Sequence, residues 1–216
     1  MKFDYMVGAV IHDLKNQLQT LQVCELDAMQ QIPARYHHLL KPIVQNTNRL
    51  QNDAMQMMTL FRLEKAIDFP FDDAWPHDTA LDAIESMQIQ FPNIKFVNDI
   101  AESIQGVYND DLLQLALTTL ITNSAQAGAT RIRIAADAGD NEIVWHMEDN
   151  GHGFDQSVLN GEQITTKTGG SGLGLYLVDL IAAHHKADDQ QGRISCSNLP
   201  KGGAEVRIHM PQHALG

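Results

Sequence analysis

The chain has 216 residues, 44% of them hydrophobic, which excludes a disordered chain and allows one ordinary domain with a smaller element or two small domains. The formal net charge of −12 argues against nucleic acid or an anionic membrane surface as a partner. The two cysteines, Cys24 and Cys196, lie far apart, which favours a reducing compartment over a disulfide framework. No segment is long and apolar enough for a membrane span or a signal peptide, so we predict a soluble, cytoplasmic protein.

Two amphipathic helical blocks open the sequence. In the first, apolar residues recur in steps of three and four until Pro33: Val7, Ile11, Leu14, Leu18, Leu21 and Ala28. In the second, which Thr47 interrupts, the spacing is similar: Leu39, Ile43, Leu50, Ala54, Met57 and Phe61. We predict an antiparallel helical hairpin over residues 1–67 that leaves one apolar face open. A homodimer that buries this face as a four-helix bundle is the simplest solution, and packing onto the downstream domain is the alternative.

The remainder of the chain has a mixed α and β pattern. Residues 68–78 carry two prolines and a cluster of acids without periodicity, which indicates a linker. A helix is predicted over 79–90 with Asp78 as its cap, and a second helix follows a cap at Asp110. Alternating stretches predict one strand (IKFVNDI) and two hairpins (RIRIAA with EIVWHMED, GRISCSN with AEVRIHM), and GLGLYLVDLIAAHH predicts a last helix. We therefore expect an α+β chain, in which an α/β sandwich over 79–216 carries helices on one face of a mostly antiparallel sheet.

Three features of this second block point to a nucleotide site, and the first is the motif MEDNGHGFD. Asp149 ends a strand there, where its carboxylate can accept a hydrogen bond from the amino group of adenine. Gly151 and Gly153 let the backbone pass close to a ring. An ordinary Asp-Asn-Gly turn is the alternative.

The second feature is the glycine-rich run TKTGGSGLGLYLV, which leads directly into a helix. Gly170, Gly172 and Gly174 free backbone N–H groups to face an anion at the positive end of the helix dipole. Lys167 supplies a mobile cation for phosphates. The spacing is not that of a P-loop, and the run does not follow a first strand as in a Rossmann unit.

The third feature is Asn123, a polar residue in the apolar helical stretch LTTLITNSAQAGA. Its amide oxygen is a hard ligand suited to Mg²⁺, which itself bridges phosphates. A hydrogen-bonded core asparagine is the alternative.

The order of Asn123, DNGHG and GGSGLGL resembles the N, G1 and G2 boxes of the Bergerat-fold ATPases, a group that includes gyrase-type enzymes and histidine kinases. With HDLKN on the upstream hairpin, nearly the full chain resembles the transmitter core of a two-component sensor histidine kinase. The resemblance implies that Asp149 binds the adenine amino group and that Asn123 holds Mg²⁺. It also implies that the loop 170–174 and Lys167 bind the phosphates of ATP, and that 155–169 form the ATP lid.

The chain departs from the family pattern at three places. Thr119 stands where many members have an asparagine, or a glutamate in gyrase-type enzymes, so fast ATP hydrolysis by a helix-borne carboxylate is not expected. Gln17 stands where a proline often follows the asparagine of the H-box, the HDLKN motif, which leaves the balance of kinase and phosphatase activity open. The stretch HKADDQQG resembles a local insertion that changes only a loop.

His12 is the residue on which phosphoryl chemistry is expected. It lies at the edge of the predicted bundle, and Lys15 and Asn16 share its helix face. A neutral imidazole is a competent nucleophile, and Asp13 can hold one ring N–H so that the other nitrogen attacks. Lys15 can help to neutralise phosphate charge, and Asn16 can orient a water for dephosphorylation of a partner aspartate. Most other histidines, including the pairs at 37–38 and 184–185, are predicted to be solvated.

The leading hypothesis is a soluble histidine kinase in which Mg-ATP phosphorylates His12, and the phosphoryl group passes to an aspartate of a response-regulator receiver domain. The alternatives are a histidine phosphotransferase with a vestigial ATPase-like domain, and a receiver phosphatase that acts through Asn16 and binds ATP only as a regulatory ligand. Thr119 disfavours a gyrase-type ATPase. Eleven residues precede His12, so we expect no sensor domain within this sequence and an input from a separate sensory protein, a small ligand or a part of the protein outside it.

Overall fold

A computed structural model describes residues 2–64, 69–160 and 173–212 of the chain. The chain divides into two compact units, Met1–Ile67 and Asp68–Gly216. Among the described residues, no helix combines the length and the apolar character that crossing a membrane requires.

The first unit is a helical hairpin. Helix α1 spans Lys2–Gln31 and helix α2 spans His37–Glu64, and the two pack against each other. Pro33 cannot continue α1 because its ring fixes φ and removes a donor, and a short 3₁₀ turn at Ala34–Tyr36 leads into α2. The predicted hairpin is confirmed.

Few of the apolar side chains that the structure describes in this hairpin are buried. They are Leu18, Ala54 and Leu60. A larger group of apolar side chains stays exposed when the chain is considered alone: Val10, Leu14, Leu21, Val23, Leu26, Leu39, Ile43, Leu50, Met55 and Met57. An apolar surface of this kind on one unit is typical of an interaction face.

Thr47, which interrupts the apolar pattern of α2, has a defined role in the hairpin. Its hydroxyl donates to Glu25 Oε1 at 2.5 Å, and both residues are buried. The other carboxylate oxygen, Glu25 Oε2, is buried without a hydrogen-bond partner among the described residues. The polar position in the pattern is therefore part of a buried pair that joins α1 to α2.

The second unit is built on a five-stranded sheet with the strand order β2-β4-β5-β9-β8. Strands β2 and β4 are parallel, and the other neighbouring pairs are antiparallel. In the described part of this unit the strands are β1 (Asp72–Ala74), β2 (Lys95–Asn98), β3 (Gly106–Tyr108), β4 (Arg131–Ala138), β5 (Glu142–Asp149), β6 (Lys186–Ala187), β7 (Gln190–Gln191), β8 (Arg193–Asn198) and β9 (Ala204–Pro211). The helices are α3 (Pro76–Gln90), α4 (Asp110–Gln126), α5 (Gln156–Leu159) and α6 (Gly174–His184).

One face of this sheet forms the core with the helices. Alternate residues of the central strands are buried, as the period of a strand requires: Ile132, Ile134, Ile143, Trp145, Met147, Val206 and Ile208. Helices α4 and α6 bring the opposing apolar side chains: Leu113, Leu117, Leu120, Leu177, Val178 and Ile181. Each such side chain contributes about 1.5–3 kcal/mol relative to an exposed one. The predicted α+β architecture and both predicted hairpins are confirmed.

Two predicted helix starts are wrong by one to three residues. Helix α3 begins at Pro76 after Trp75, without a side-chain cap, so Asp78 lies in the first turn. Proline suits that position because its missing N–H would have no helical partner there. The cap of α4 is Asn109, whose side chain accepts from Leu112 N at 2.8 Å, and Asp110 is already helical.

The predicted linker 68–78 contains the start of the second unit. Residues 72–74 pair with β3, and the carbonyl oxygen of Pro70 accepts from Asn109 Nδ2 at 2.7 Å. Phe71 stacks on the ring of His185 with centroids 4.8 Å apart and planes 10° apart. This stretch is therefore attached to the end of α6 and the cap of α4.

The prediction that both histidines of the pair 184–185 are solvated is wrong for His185, which is 2% exposed. Its Nδ1 lies 2.8 Å from the carbonyl oxygen of Ile181, and its Nε2 accepts from Asn109 N at 3.2 Å. A carbonyl only accepts, so the hydrogen is on Nδ1 and the ring is neutral. Burial lowers the pKa of His185 to about 4. The following HKADDQQG stretch forms the small β6–β7 hairpin.

Candidate functional site

Asp149 ends β5 and is the most constrained polar residue of the site. It is 9% exposed, and three hydrogen-bond donors of the chain face its carboxylate. Oδ1 accepts from Gly151 N at 2.8 Å and from Ala204 N at 3.3 Å, and Oδ2 accepts from the hydroxyl of Ser124 at 2.7 Å. The carboxylate is thus held in one orientation from both sides.

Three glycines allow close packing of the backbone around Asp149 and the turn that follows it. Gly203 has φ +97°, and a Cβ there would lie 1.9 Å from the carbonyl oxygen of Asp149. Gly153 has φ +80°, and a Cβ there would lie 2.7 Å from Asn198 Oδ1. A Cβ on Gly151 would lie 2.8 Å from the carbonyl oxygen of Ala127. The DNGHG turn therefore depends on its glycines for close packing as well as for backbone conformation.

Asn123 and Gly174 meet at the other end of the site. Gly174 is the first residue of α6, and a Cβ there would lie 3.1 Å from Asn123 Nδ2 and 3.3 Å from Asn123 Oδ1. The absence of a side chain on Gly174 leaves the amide of Asn123 room beside the positive end of the α6 dipole. Two of the predicted motifs are thereby brought together.

Asn123 and Asp149 line one pocket in the described part of the second unit. Its apolar wall comes from several elements: Leu120, Met147, Leu175 and Val206. Its polar lining comes from the predicted motifs and their neighbours: Asn123, Ser124, Gln126, Asp149, His152 and Asp155. An apolar wall with a few converging polar groups is typical of a site for a flat heterocycle with a polar tail.

Strand β9, beside the pocket, carries a charged residue that is hydrogen-bonded to two basic side chains. Glu205 is 5% exposed and follows Ala204, one of the donors to Asp149. Burial raises the pKa of the Glu205 carboxyl, but hydrogen bonds from Arg207 and His146 outweigh it and lower the pKa to about 2. The start of β9 is therefore held by an ion pair on the outer face of the sheet.

Three residues that support the site were not predicted from the sequence. They are Ser124, which orients Asp149, Gly203, which allows its close approach, and Asn198. The Asn198 side chain accepts from Phe154 N at 2.7 Å and donates to Phe154 O at 2.9 Å, which fixes the segment after DNGHG. Ser124 directly follows Asn123, so its position in the motif was a usable signal, whereas Asn198 is distant in sequence.

Part of the predicted phosphate-binding set lies outside the described residues, namely Lys167, Gly170 and Gly172. Of the predicted lid at 155–169, the structure describes residues 155–160, which include the one-turn helix α5. The roles of these residues remain predictions.

The predicted phosphoacceptor residues lie in the first unit. His12, Asp13, Lys15 and Asn16 are all on α1, and the side chains of Asp13 and Asn16 are exposed. The side chains of His12 and Lys15 lie outside the described set. The assignment of chemistry to these four residues stays a prediction.

Residues 108–214 match the family described as "Histidine kinase-, DNA gyrase B-, and HSP90-like ATPase". Over 221 residues, 94% of the chain, the sequence is 27% identical to the tetrathionate sensor histidine kinase TtrS of Salmonella typhimurium. The chain spans 36% of the length of that relative.

Two solved structures share the fold. The histidine kinase AdeS of Acinetobacter baumannii is 17% identical with a TM-score of 0.64, and the match covers 93% of this chain and 98% of that one. Full-length ShkA in complex with AMPPNP is 17% identical with a TM-score of 0.73, and the match covers 98% of this chain and 46% of that one. The predicted resemblance to the Bergerat-fold ATPases is confirmed.

Proposed function

We propose that this chain, which carries an ATPase domain of the histidine kinase type, phosphorylates His12 from Mg-ATP and passes the phosphoryl group to an aspartate of a response-regulator receiver domain. The observation that supports this proposal most is the convergence of Asn123 and Asp149 on one pocket, with Gly174 beside Asn123, in a chain whose other unit carries HDLKN. Relatives such as TtrS are named sensor histidine kinases, which agrees with this proposal.

ATP would lie with its base at Asp149 and its phosphates towards Asn123 and the N-terminus of α6. The apolar wall of the pocket suits the adenine ring, and the carboxylate accepts from the adenine amino group. The half-exposed N-terminus of α6 favours negative charge, and Lys167 would add a cation.

Asn123 is the residue that would hold Mg²⁺. Its amide lies in the pocket against Gly174, where any larger residue would crowd it, and an amide oxygen is a ligand that Mg²⁺ accepts. When bound, Mg²⁺ neutralises charge on the phosphates. The contribution of the chain is to position the phosphates and to keep a hard oxygen ligand beside them.

In the phosphorylation step, a ring nitrogen of neutral His12 attacks the γ-phosphorus of ATP. A P–N bond forms as the bond from the γ-phosphorus to the β,γ-bridging oxygen breaks, and ADP leaves. Asp13 would hold the N–H of the second ring nitrogen, and Lys15 would lower the charge of the transferred group. In the second step, a receiver aspartate oxygen takes the phosphoryl group, the P–N bond breaks, and His12 is regenerated.

We further propose that the chain acts as a homodimer. The exposed apolar side chains of the hairpin, such as Leu39 at 61% and Leu50 at 55% exposure, would be buried between two copies in a four-helix bundle. The larger number of exposed apolar side chains on the first unit favours this assembly.

Incubation of the full chain with γ-labelled ATP and Mg²⁺ tests the proposed activity. The label should be lost in acid, stable in base and absent from the His12→Ala variant, while His38→Ala, which changes an exposed histidine of α2, should label as the wild type does. Label that survives His12→Ala would contradict the assignment. Tight ATP binding without any label would favour a phosphatase that uses ATP as a regulatory ligand, and no ATP binding would favour a phosphotransferase.

A further inference from the structure

We propose that Ser124 is a positioning residue that fixes the Asp149 carboxylate, so that a single remaining acceptor position on Oδ2 receives one N–H of the base and selects adenine over guanine. The inference rests on the proposed function, because it concerns how the ATP pocket of that reaction recognises its nucleotide.

Three hydrogen bonds from the chain hold the Asp149 carboxylate. The two donors to Oδ1 are backbone N–H groups of Gly151 and Ala204, at 2.8 and 3.3 Å. The donor to Oδ2 is the side chain of Ser124, at 2.7 Å. Both Ser124, at 4% exposure, and Asp149, at 9%, are buried, so water does not readily replace these bonds.

The Asp149 carboxylate has more acceptor positions than these three donors occupy. A carboxylate offers about four acceptor positions, two on each oxygen. Among the residues that the structure describes, two donors fill Oδ1 and one fills Oδ2, which leaves one position on Oδ2. Asp149 lines the pocket, so this position is available to a ligand there. It can accept one N–H from a ligand.

This arrangement distinguishes the two purines. Adenine carries an amino group at the ring position where guanine carries a carbonyl oxygen. The amino group donates to Oδ2, whereas the guanine oxygen would place a second acceptor against it. A buried site whose polar groups are left unpaired by the wrong ligand discriminates strongly against that ligand.

Ser124 is the part of this arrangement that does not touch the base-binding position itself. Removal of its hydroxyl would leave Oδ2 with two free positions in a buried setting. The carboxylate could then turn about its last side-chain bond, and its acceptor positions would no longer face the base in one fixed direction. Loss of Ser124 should therefore weaken ATP binding and relax the choice of base together.

The test uses the full chain with Mg²⁺ and measures the dissociation constants of ATP and GTP by calorimetry. Ser124→Ala should weaken ATP binding about tenfold and lower the preference for ATP over GTP by at least about the same factor. Ser124→Thr keeps the hydroxyl and should restore the preference. Ser86→Ala removes a hydroxyl that donates to Ala83 O on α3, away from the pocket, and should bind both nucleotides as the wild type does. In enzyme assays Ser124→Ala should raise the KM for ATP and leave kcat unchanged.

A folded Ser124→Ala variant with wild-type affinity for ATP and a wild-type ATP to GTP ratio would overturn the inference while leaving the proposed kinase intact. Failure of the wild type to bind ATP would overturn the proposed function and this inference with it. If Ser124→Ala does not fold, the binding of two ATP analogues to the wild type tests the proposal instead. N6-methyl-ATP, which keeps one N–H, should bind like ATP, and N6,N6-dimethyl-ATP, which has none, should bind at least tenfold more weakly. Equal binding of the two analogues would overturn the proposal.

Discussion

Glu25 in the helical hairpin and Asp149 in the second unit are both buried carboxylates, but their surroundings differ. Asp149 has three donors of its own chain around it. Glu25 receives one bond, from Thr47, and its second oxygen has no hydrogen-bond partner in the described part of the chain. The apolar side chains show a similar contrast: among the described residues, eleven large ones are exposed in the first unit and three in the second. The second unit covers most of its large apolar side chains, whereas the hairpin leaves the surface that the proposed dimer would bury.

The largest expected effect comes from the packing around Asp149. Gly203→Ala places a Cβ 1.9 Å from a backbone oxygen and should destabilise the second unit by more than about 3 kcal/mol and abolish ATP binding. Gly202→Ala is the matched control, since Gly202 also has a positive φ, +91°, but nothing within 4 Å of the added Cβ. That variant should lose only about 1 kcal/mol, the cost of the backbone conformation. Thermal unfolding and nucleotide binding of both variants provide the check, and equal losses would contradict the packing argument.

The second effect is the pH dependence of the second unit through His185. Its pKa is about 4 in the folded chain, below the ordinary value of 6.5, so the unfolded chain binds a proton between these values. The resulting stability is fully present above pH 6.5 and is lost as the pH falls towards 4, by up to about 3 kcal/mol.

Urea unfolding at pH 7.5 and 5.0 of the wild type and of His185→Gln measures this effect. The variant should be less stable at pH 7.5 and should lose less stability on acidification. His184→Gln, in the neighbouring ring, should keep the pH dependence of the wild type. A wild-type pH dependence in His185→Gln would show that another group carries it.

The third effect tests whether the open face of the hairpin binds a second copy. Leu50→Asp should raise the dissociation constant of the dimer about 10- to 100-fold, because burial of a leucine contributes about 1.5–3 kcal/mol. Leu81→Asp, on α3 of the second unit and 40% exposed, should leave assembly unchanged. Sedimentation over a range of concentrations distinguishes the two. A monomeric wild type, or a dimer that Leu50→Asp does not weaken, would contradict the proposed bundle.

The smallest effect concerns the polar pair inside the hairpin. Thr47→Val should cost about 1–3 kcal/mol, because both oxygens of Glu25 then lack a partner. Glu25→Met should be neutral or stabilising by about 1–2 kcal/mol, since it replaces a buried carboxyl group that has one unpaired oxygen with an apolar side chain. In the double variant the cost of Thr47→Val should largely disappear. Additive effects of the two substitutions on the free energy of unfolding would show that the pair does not act as a unit.

Much of this architecture follows from local patterns. Both β-hairpins and the helices of the second unit were predictable because a buried strand or helix face repeats with a fixed period. Asp149, Asn123 and the glycines were predictable as a site because their order matches a family pattern. The predicted functions of Lys167, Gly170 and Gly172 remain untested, since they fall outside the described residues.

Other features depend on contacts between distant parts of the chain. His185 looks like a surface histidine, and only the approach of Phe71 and Asn109, far away in sequence, makes it a buried acceptor. Thr47 looked like an interruption of an apolar face because its partner, Glu25, is on the other helix. A single sequence records a polar residue at such a position but not the group that satisfies it.

The central claim is that the pocket of the second unit supplies the phosphoryl group to His12. Its most direct test is fragment mass spectrometry of the chain after incubation with Mg-ATP, at neutral pH and without acid treatment, for the wild type and for Asp149→Asn. The account predicts one phosphoryl group on His12 in the wild type and a large loss of it in Asp149→Asn. Phosphorylation at another residue, or wild-type phosphorylation of His12 in Asp149→Asn, would contradict it.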